Sequence, residues 1–431
     1  MSANAELANP AAEVPGASSI PGTELPYSHE IAWPEGLAPW TVIDETGTQG
    51  EPYAHFKWMR EHHPVLRVHH PDEDVYFIAR YQDVRKGMRT PKIFLSQVND
   101  VPPFAFPTLL DGQAHIKLRK VIASAFIPKA IALVTDRVRE VAEERVNALV
   151  NLGSAEVVRD VSRPLTMATI SGILGVPVED LNKVHLLSDS MFVYFARLSR
   201  MAPGTDDDEN YTMEFFEYLR QTLHRLYDEK SETVAGHIAR SWKDEGLLTE
   251  QEAIELCAFV FVAGFETTER LIAGGFRELR ANPALLRRLR ENPEEDGAKF
   301  IEELVRFRGP VHKAPRRTKE DFEFSGVTIP KGSIVRLLLA SANRDEAQWD
   351  HADEFDIDRE TDGHFGFGHG VHACLGAPLA RLESTILFQV LAEQVEKVDF
   401  DPEKDLTLLK GNSLTNGVDS LRVTITARQG G

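Results

Sequence analysis

Two stretches of this chain have residue types and spacing that could do chemistry. The first is Ala263-Gly264-Phe265-Glu266-Thr267-Thr268, at the end of the apolar run that opens at Leu256. A carboxylate and two hydroxyls in such surroundings are costly to desolvate without partners. Gly264 has no Cβ, which leaves a groove where a ligand or water could approach the backbone. A plain alternative satisfies the same residues, with Thr267 bonded back to the preceding turn and Glu266 paired with an arginine. The second stretch is His364-Phe-Gly-Phe-Gly-His-Gly-Val-His-Ala-Cys-Leu-Gly-Ala-Pro-Leu-Ala-Arg381. Glycines crowd around one cysteine, and an amphipathic helical pattern follows. A tight turn that delivers Cys374 to a helix start aims backbone N–H groups and the positive end of the helix dipole at the sulfur, which favours the thiolate. Such a thiolate is a metal ligand or a nucleophile. No local base or oxyanion hole supports a nucleophile. A zinc site from His369, His372 and Cys374 lacks a fourth ligand, and three ligands so close on one turn close poorly around a tetrahedron. Cys257, in an apolar helical pattern without polar neighbours, reads as a small core residue.

These groups need elements to hold them. Thr249-Glu-Gln-Glu252 is a capping box, and nothing breaks the helical pattern after it until Asn282-Pro283. About thirty residues at ~1.5 Å each give a helix near 45 Å long. Its middle is apolar all round, so it should be a core helix buried on every side. Upstream, Val65–Val68 and Val75–Ile78 read as strands. A loop from about 96 to 112 carries Pro102, Pro103, Phe104, Phe106 and Pro107, too many prolines for a helix, and its aromatics need burial. Amphipathic runs at about 180–200 and 210–229 flank a second loop around the acidic residues 206–209. Residues 1–35, rich in Ala, Pro, Ser and Glu, read as a flexible arm with an extended lead-in, followed by a single domain over 36–431. The expected class is mainly α with small β-sheets.

Composition narrows the functions. The chain has 431 residues, 42% hydrophobic and 27% charged, which is globular. Its 48 basic and 67 acidic residues leave a net charge of −19, the wrong sign for a nucleic-acid binder. Its 2 cysteines exclude a disulfide scaffold. The first basic residue is Lys57, so no basic leader is visible, and no apolar run reaches the ~20 residues of a membrane span. A cytoplasmic monomer is the expectation.

Phe367-Gly368-His-Gly370-Val-His372-Ala-Cys374-Leu-Gly376 closely resembles the haem-binding loop of the cytochrome P450 family. Three further marks stand in the family's order. Ala263-Gly264-Phe-Glu266-Thr267-Thr268 is similar to the oxygen-activation segment of its long central helix over the haem. Glu303-Leu-Val-Arg306, with Arg359, is similar to its Glu-x-x-Arg network, and His115-Ile-Lys-Leu-Arg119 to its propionate-binding helix. The resemblance covers roughly 50–425. It implies haem b held by Cys374 as axial thiolate, which pushes electron density toward the iron. Phe367 and Gly368 would sit beside the sulfur, and the N–H groups opened by Gly376 would tune it. His115, Arg119, Arg316 and His372 would grip the propionates. Ala263 and Gly264 would face the porphyrin, and Glu266 and Thr267 would relay protons to bound oxygen. Glu303, Arg306 and Arg359 would brace the loop as a structural network. The chain departs from the family at Asp111-Gly112-Gln113, where Asp-Pro-Pro is common, and at Glu269-Arg270, where smaller or apolar residues are usual. An i,i+4 pair of Arg270 with Glu266 would hold that acid away from the iron.

The implied activity is insertion of one oxygen atom from O2 into a small apolar substrate. Expected pocket residues are Phe104, Phe106, Met191, Phe192, Phe195, Phe259, Val311, His312 and Val418, with His312 free to meet a substrate oxygen. Phe106-Pro107-Thr108 and Asn416-Gly417-Val418 resemble the terpene-hydroxylating branch, while aromatic acids, steroids and macrolides stay open. With no flavin or iron–sulfur motif in the chain, electrons would come from NAD(P)H through a reductase and a ferredoxin, docking near Lys117, Arg119, Lys120 and Arg381. A peroxide-driven peroxygenase would dispense with the acid–alcohol pair, and a haem sensor would need neither relay nor electron donor.

Overall fold

The computed structural model of the chain describes residues 25–41, 51–70, 73–100, 102, 104–126, 128–198, 206–409 and 415–428. Thr249 starts the central helix Glu250–Ala281 as the capping box requires: the Glu252 N–H donates to Thr249 Oγ1 at 3.1 Å, and the Thr249 N–H donates to Glu252 Oε2 at 2.8 Å. The helix ends at Asn282, because the residue before Pro283 is pushed out of the helical region. Leu256, Phe261, Ile272 and Phe276 along it are wholly buried. Around it pack Arg163–Leu174, Leu181–Leu198, Asp206–Asp228 and Glu295–Arg308, and Ala377–Gln394 crosses it near the cysteine loop. Cys257 lies in this core, where burial pushes its thiol well up, as a core cysteine should behave.

The β structure is peripheral. Val65–His69 and Asp74–Ile78 form an antiparallel hairpin, and Asp74–Ile78 runs parallel to Ile334–Leu338. Ile334–Leu338 pairs with Lys313–Thr318, which reaches Phe94–Leu95 at the sheet edge. A second sheet is built around Val418–Ala427. An isolated antiparallel bridge, Val311 to Thr415, ties the approach to Lys313–Thr318 to the segment before Val418. The proline-rich loop buries its aromatics as required, with Phe104 6% and Phe106 4% exposed.

Within the expected arm, residues 1–24 lie outside the described ones. Tyr27 forms a β-bridge to Arg67, whose guanidinium lies 4.2 Å from its ring centroid, and Trp33 packs on Trp58 at 4.4 Å. The acidic residues at 206–209 open the helix Asp206–Asp228, and 201–205 lie outside the described residues. Among the described residues no helix is long and apolar enough to cross a membrane.

Candidate functional site

Between the central helix and the cysteine loop lies a cavity of about 450 Å³. Cys374 opens onto it. Its N–H donates to the Phe367 carbonyl at 2.8 Å, which closes the turn, and the helix Ala377–Gln394 starts just beyond. Gly368 and Gly370 take φ of 68° and 69°, left-handed values that favour glycine. Burial raises the thiol pKa. The amides of Gly376 and Ala377 oppose this, as do the charges of Arg119 and Arg381. These donors and charges stand about the sulfur as the spacing predicts, and burial outweighs them, so the net shift is upward. Among the described residues no group of three or more His, Cys, Asp and Glu side chains is placed to hold a metal ion.

Arg119, Arg316 and His372 line one edge of the cavity, and His115 packs against His372 outside its wall. His115 and His372 have ring centroids 4.2 Å apart, and Arg119 reaches the Ala373 carbonyl at 2.6 Å. His372 Nε2 lies 2.9 Å from Ser96 Oγ and 3.8 Å from Asp111 Oδ1. Arg316 is buried, bonds the Pro315 carbonyl at 2.7 Å, and has no carboxylate within ion-pair distance among the described residues. Burial pushes Arg316 down to about 10 and His115 down to about 4, with His372 and Arg119 adding to the second shift. His115 Nε2 has no partner among the described residues. A buried Arg316 without a carboxylate, Arg119, His372 and the Cys374 thiol, all in the wall of the same cavity, fit a dianionic group with a metal centre.

Across the cavity, Glu266 and Thr267 are both in the wall and both engaged. Arg270 donates to Glu266 Oε1 at 2.6 Å, the i,i+4 pair the sequence allows, and Thr267 Oγ1 donates to the Ala263 carbonyl at 3.0 Å. The groove expected at Gly264 is filled by protein. A Cβ there would lie 2.4 Å from Ile170 Cδ1, so the missing side chain makes room for the neighbouring helix while the residue still borders the cavity. Asp189 is pushed up to about 6 by burial, with the Glu266 charge adding and Arg163 and Arg270 opposing.

The structural network is assembled in full. Arg306 donates to both Glu303 oxygens at 2.6 and 2.7 Å and to the carbonyls of Asn343, Ala352 and Glu354. Arg359 Nε meets Glu303 Oε1 at 3.3 Å.

The expected pocket is met in part. Phe106, Met191, Phe259, Ala263 and Val311 line the cavity. Phe104 is set behind the wall, stacked on Phe106 at 5.0 Å. His312 and Val418 also lie outside it and face a separate small cavity; the bridge that turns Val311 and Thr415 inward turns the next residues, His312 and Asn416, away. The side chains of Phe192 and Phe195 lie outside the described residues. The expected basic face is thinner than the sequence predicts: Lys117 pairs with Glu252 and Arg381 with Glu302. Sequence reasoning missed Glu383, a buried acid in the cavity wall. Its spacing, seven residues after Gly376 on one helical face, was the available signal.

The cytochrome P450 family model matches residues 298–410. The vitamin D(3) 25-hydroxylase of Pseudonocardia autotrophica is 31% identical over 390 residues, covering 88% of this chain and 94% of that protein. The crystal structure of CYP108D1 from Novosphingobium aromaticivorans superposes with a TM-score of 0.80 at 25% identity, covering 90% of this chain and 97% of that one. CYP109E1 from Bacillus megaterium, in complex with corticosterone, gives 0.74 at 26%, covering 86% and 98%. A thiol loop of this geometry, a matching mainly helical fold and similarity along nearly the whole length make the chain a member of the cytochrome P450 family, the haem-b monooxygenases that bind their iron through a cysteine thiolate.

Proposed function

We propose that this enzyme hydroxylates a rigid, largely apolar alicyclic molecule, a terpenoid, with electrons delivered by a ferredoxin. The observation that carries the reading is the cavity wall, where Phe106, Phe259, Met191 and Val311 face Glu266 and Thr267. A steroid-like substrate is the second reading, favoured by relatives named for vitamin D hydroxylation and for a corticosterone complex.

Bound haem supplies the iron at which dioxygen is activated. Cys374 would hold the iron through its sulfur, with the Gly376 and Ala377 amides placed to steady the charge. Arg119 and Arg316, with His372 and His115, would hold the propionates, which would give the buried Arg316 its counter-charge. Gly368, at a positive φ, would let the loop pass close to the group. Thr267 would offer a hydroxyl to bound oxygen, and Glu266 would bring protons once it leaves Arg270. In the arrangement described, both groups are held back, the acid by its ion pair and the hydroxyl by the Ala263 carbonyl. That restraint suits an enzyme that must not protonate oxygen before substrate is present.

The ferredoxin reading is supported by the surface of the cysteine loop, where Val371 is 46% exposed, as is Ile116 at 53% on the helix carrying His115. Burial lowers the His369 pKa and the nearby charges of Arg89 and Arg85 add to it, and Lys120 is exposed, so an acidic partner would find cations around an apolar centre. The test is a reduced carbon monoxide spectrum, then titration with terpenes and steroids read by the Soret shift, then NADH-driven turnover with ferredoxin and reductase. A terpene that shifts the spectrum and is hydroxylated supports the first reading. A response to steroids alone transfers the assignment to the second. Turnover with peroxide but not with NADH would overturn both.

A further inference from the structure

Beside Arg270 lies a second cavity, of about 10 Å³. Three side chains more than nine-tenths buried line it, and each has one nitrogen without a partner among the described residues: Arg270 Nε, His312 Nδ1 and Asn416 Nδ2. Buried polar groups are nearly always hydrogen-bonded, so three unpartnered nitrogens around a single cavity ask for a common partner.

The donors and acceptors sort themselves. Arg270 Nε is a donor in every state. Asn416 Oδ1 accepts the Gly417 N–H at 2.6 Å, which fixes the amide and leaves its NH2 group as the unused end. His312 is held down to about 3 by burial, with Arg344 and Arg308 adding and Glu51 opposing, so its ring is neutral and one nitrogen can accept. Two donors and one acceptor are complementary to a water molecule, which accepts twice and donates. About one water's worth of space and two to four polar partners are what a buried water needs.

The loop geometry holds these groups in place. The Asn416 N–H donates to the Pro310 carbonyl at 2.8 Å, and the bridge from Val311 to Thr415 fixes His312 next to Asn416. Gly417 has φ of 147°, and a Cβ there would lie 3.2 Å from the Arg270 Cβ, so glycine lets the loop reach the arginine. Arg270 also contacts the Val418 carbonyl at 3.4 Å.

We propose that this cavity binds one ordered water that accepts from Arg270 Nε and Asn416 Nδ2 and donates to His312 Nδ1, making His312 and Asn416 positioning residues for the Glu266–Arg270 pair. Val311 and Thr415 line the substrate cavity, while the next residue of each segment lines the small one. The same two segments therefore touch the substrate space and, through the water, the arginine that restrains the acid. The effect on turnover rests on the reading of Glu266 as the proton-delivering acid; the water site does not.

Two measurements separate them. A crystal structure of the haem-loaded enzyme is expected to show one water within about 3.2 Å of all three nitrogens. Density that shows no such water overturns the site. In solution, His312→Leu removes the acceptor, whereas His312→Asn keeps one near the Nδ1 position. Product formed per NADH is expected to fall about fivefold to tenfold in His312→Leu, with the electrons recovered as hydrogen peroxide, and to stay within about twofold in His312→Asn. Haem content read from the reduced carbon monoxide band controls for folding, and the crystallographic measurement stands if the leucine variant does not fold. Unchanged coupling in a folded His312→Leu enzyme overturns the positioning role. Unchanged coupling in Glu266→Gln, with the water present, overturns the reading of the acid and leaves the site intact.

Discussion

Glu383, on the helix that follows the cysteine loop, is 1% exposed and its Oε2 has no partner among the described residues. Burial pushes its pKa up to about 8, against hydrogen bonds with Thr169 and Thr268 that pull it down. The Thr169 hydroxyl is also engaged by the Leu165 carbonyl at 2.9 Å, which weakens its pull on Glu383 and leaves burial dominant. The folded protein thus keeps a proton that the unfolded chain loses near pH 4.5, and between pH 4.5 and about 8 its stability falls as pH rises. Each unit is worth about 1.4 kcal/mol, so the full swing is on the order of 4–5 kcal/mol, with nothing further lost above about 8 and nothing lost below 4.5. Glu383→Gln keeps the shape and a neutral group while abolishing the titration. Urea unfolding of both proteins at pH 5, 6, 7 and 8 measures the difference. The glutamine variant is expected to match the parent near pH 5 and to gain on it by roughly 1.4 kcal/mol per unit above that. Parallel pH profiles, or a glutamine variant that is the less stable at pH 8, would refute the argument that this acid is neutral when buried.

Three other outcomes follow from the same geometry. Glu303→Ala leaves Arg306 buried without its counter-charge and is expected to cost about 3–5 kcal/mol, seen as a fall in haem content and in thermal midpoint, while a variant with unaltered midpoint would show the pair to be dispensable. Gly366→Ala puts a Cβ 2.5 Å from the Val305 carbonyl oxygen, which cannot move without shifting the Glu303–Arg306 turn; a loss of about 1–3 kcal/mol and a weakened reduced carbon monoxide band are expected. Arg270→Ala frees Glu266 from its ion pair and is expected to lower product per NADH while leaving the carbon monoxide band in place; unchanged coupling would mean that the pair does not restrain the acid.

Much of the site was legible because its signals are local. The Thr249 capping box, the stop at Asn282-Pro283 and the glycines around Cys374 each act within a few residues, and the structure forms each as written. The Glu266–Arg270 pair is also local, one helical turn apart. What could not be read is what depends on packing between distant segments. The inward turn of Val311 and outward turn of His312 follow from a bridge to Thr415, for which spacing gives no hint. Lys117 and Arg381 look free in sequence and are neutralised by Glu252 and Glu302 from other helices. Gly264 looks like an opening and is one side of a close helix contact with Ile170.

The buried charges share a placement that their energies alone do not explain. Replacing a buried ion pair by packed apolar residues is often neutral or stabilising, so stability gives little reason to keep Glu303 with Arg306 and Arg359, Glu51 with Arg277 and Arg308, or Glu269 with Arg163. Each set fastens the central helix, or the helix Glu295–Arg308 beside it, to a segment far away in sequence: Asp350–Glu354 carbonyls and Arg359 in the first, Glu51 in the second, Arg163 in the third. Apolar contacts would tolerate sliding of those segments by part of a turn, whereas directional charge-assisted bonds do not. The groups that depend on this register are Cys374 on one wall of the cavity and Glu266 with Thr267 on the other, held across a gap that the packing keeps fixed. Directional bonds are the means by which a mostly helical, apolar core sets that gap.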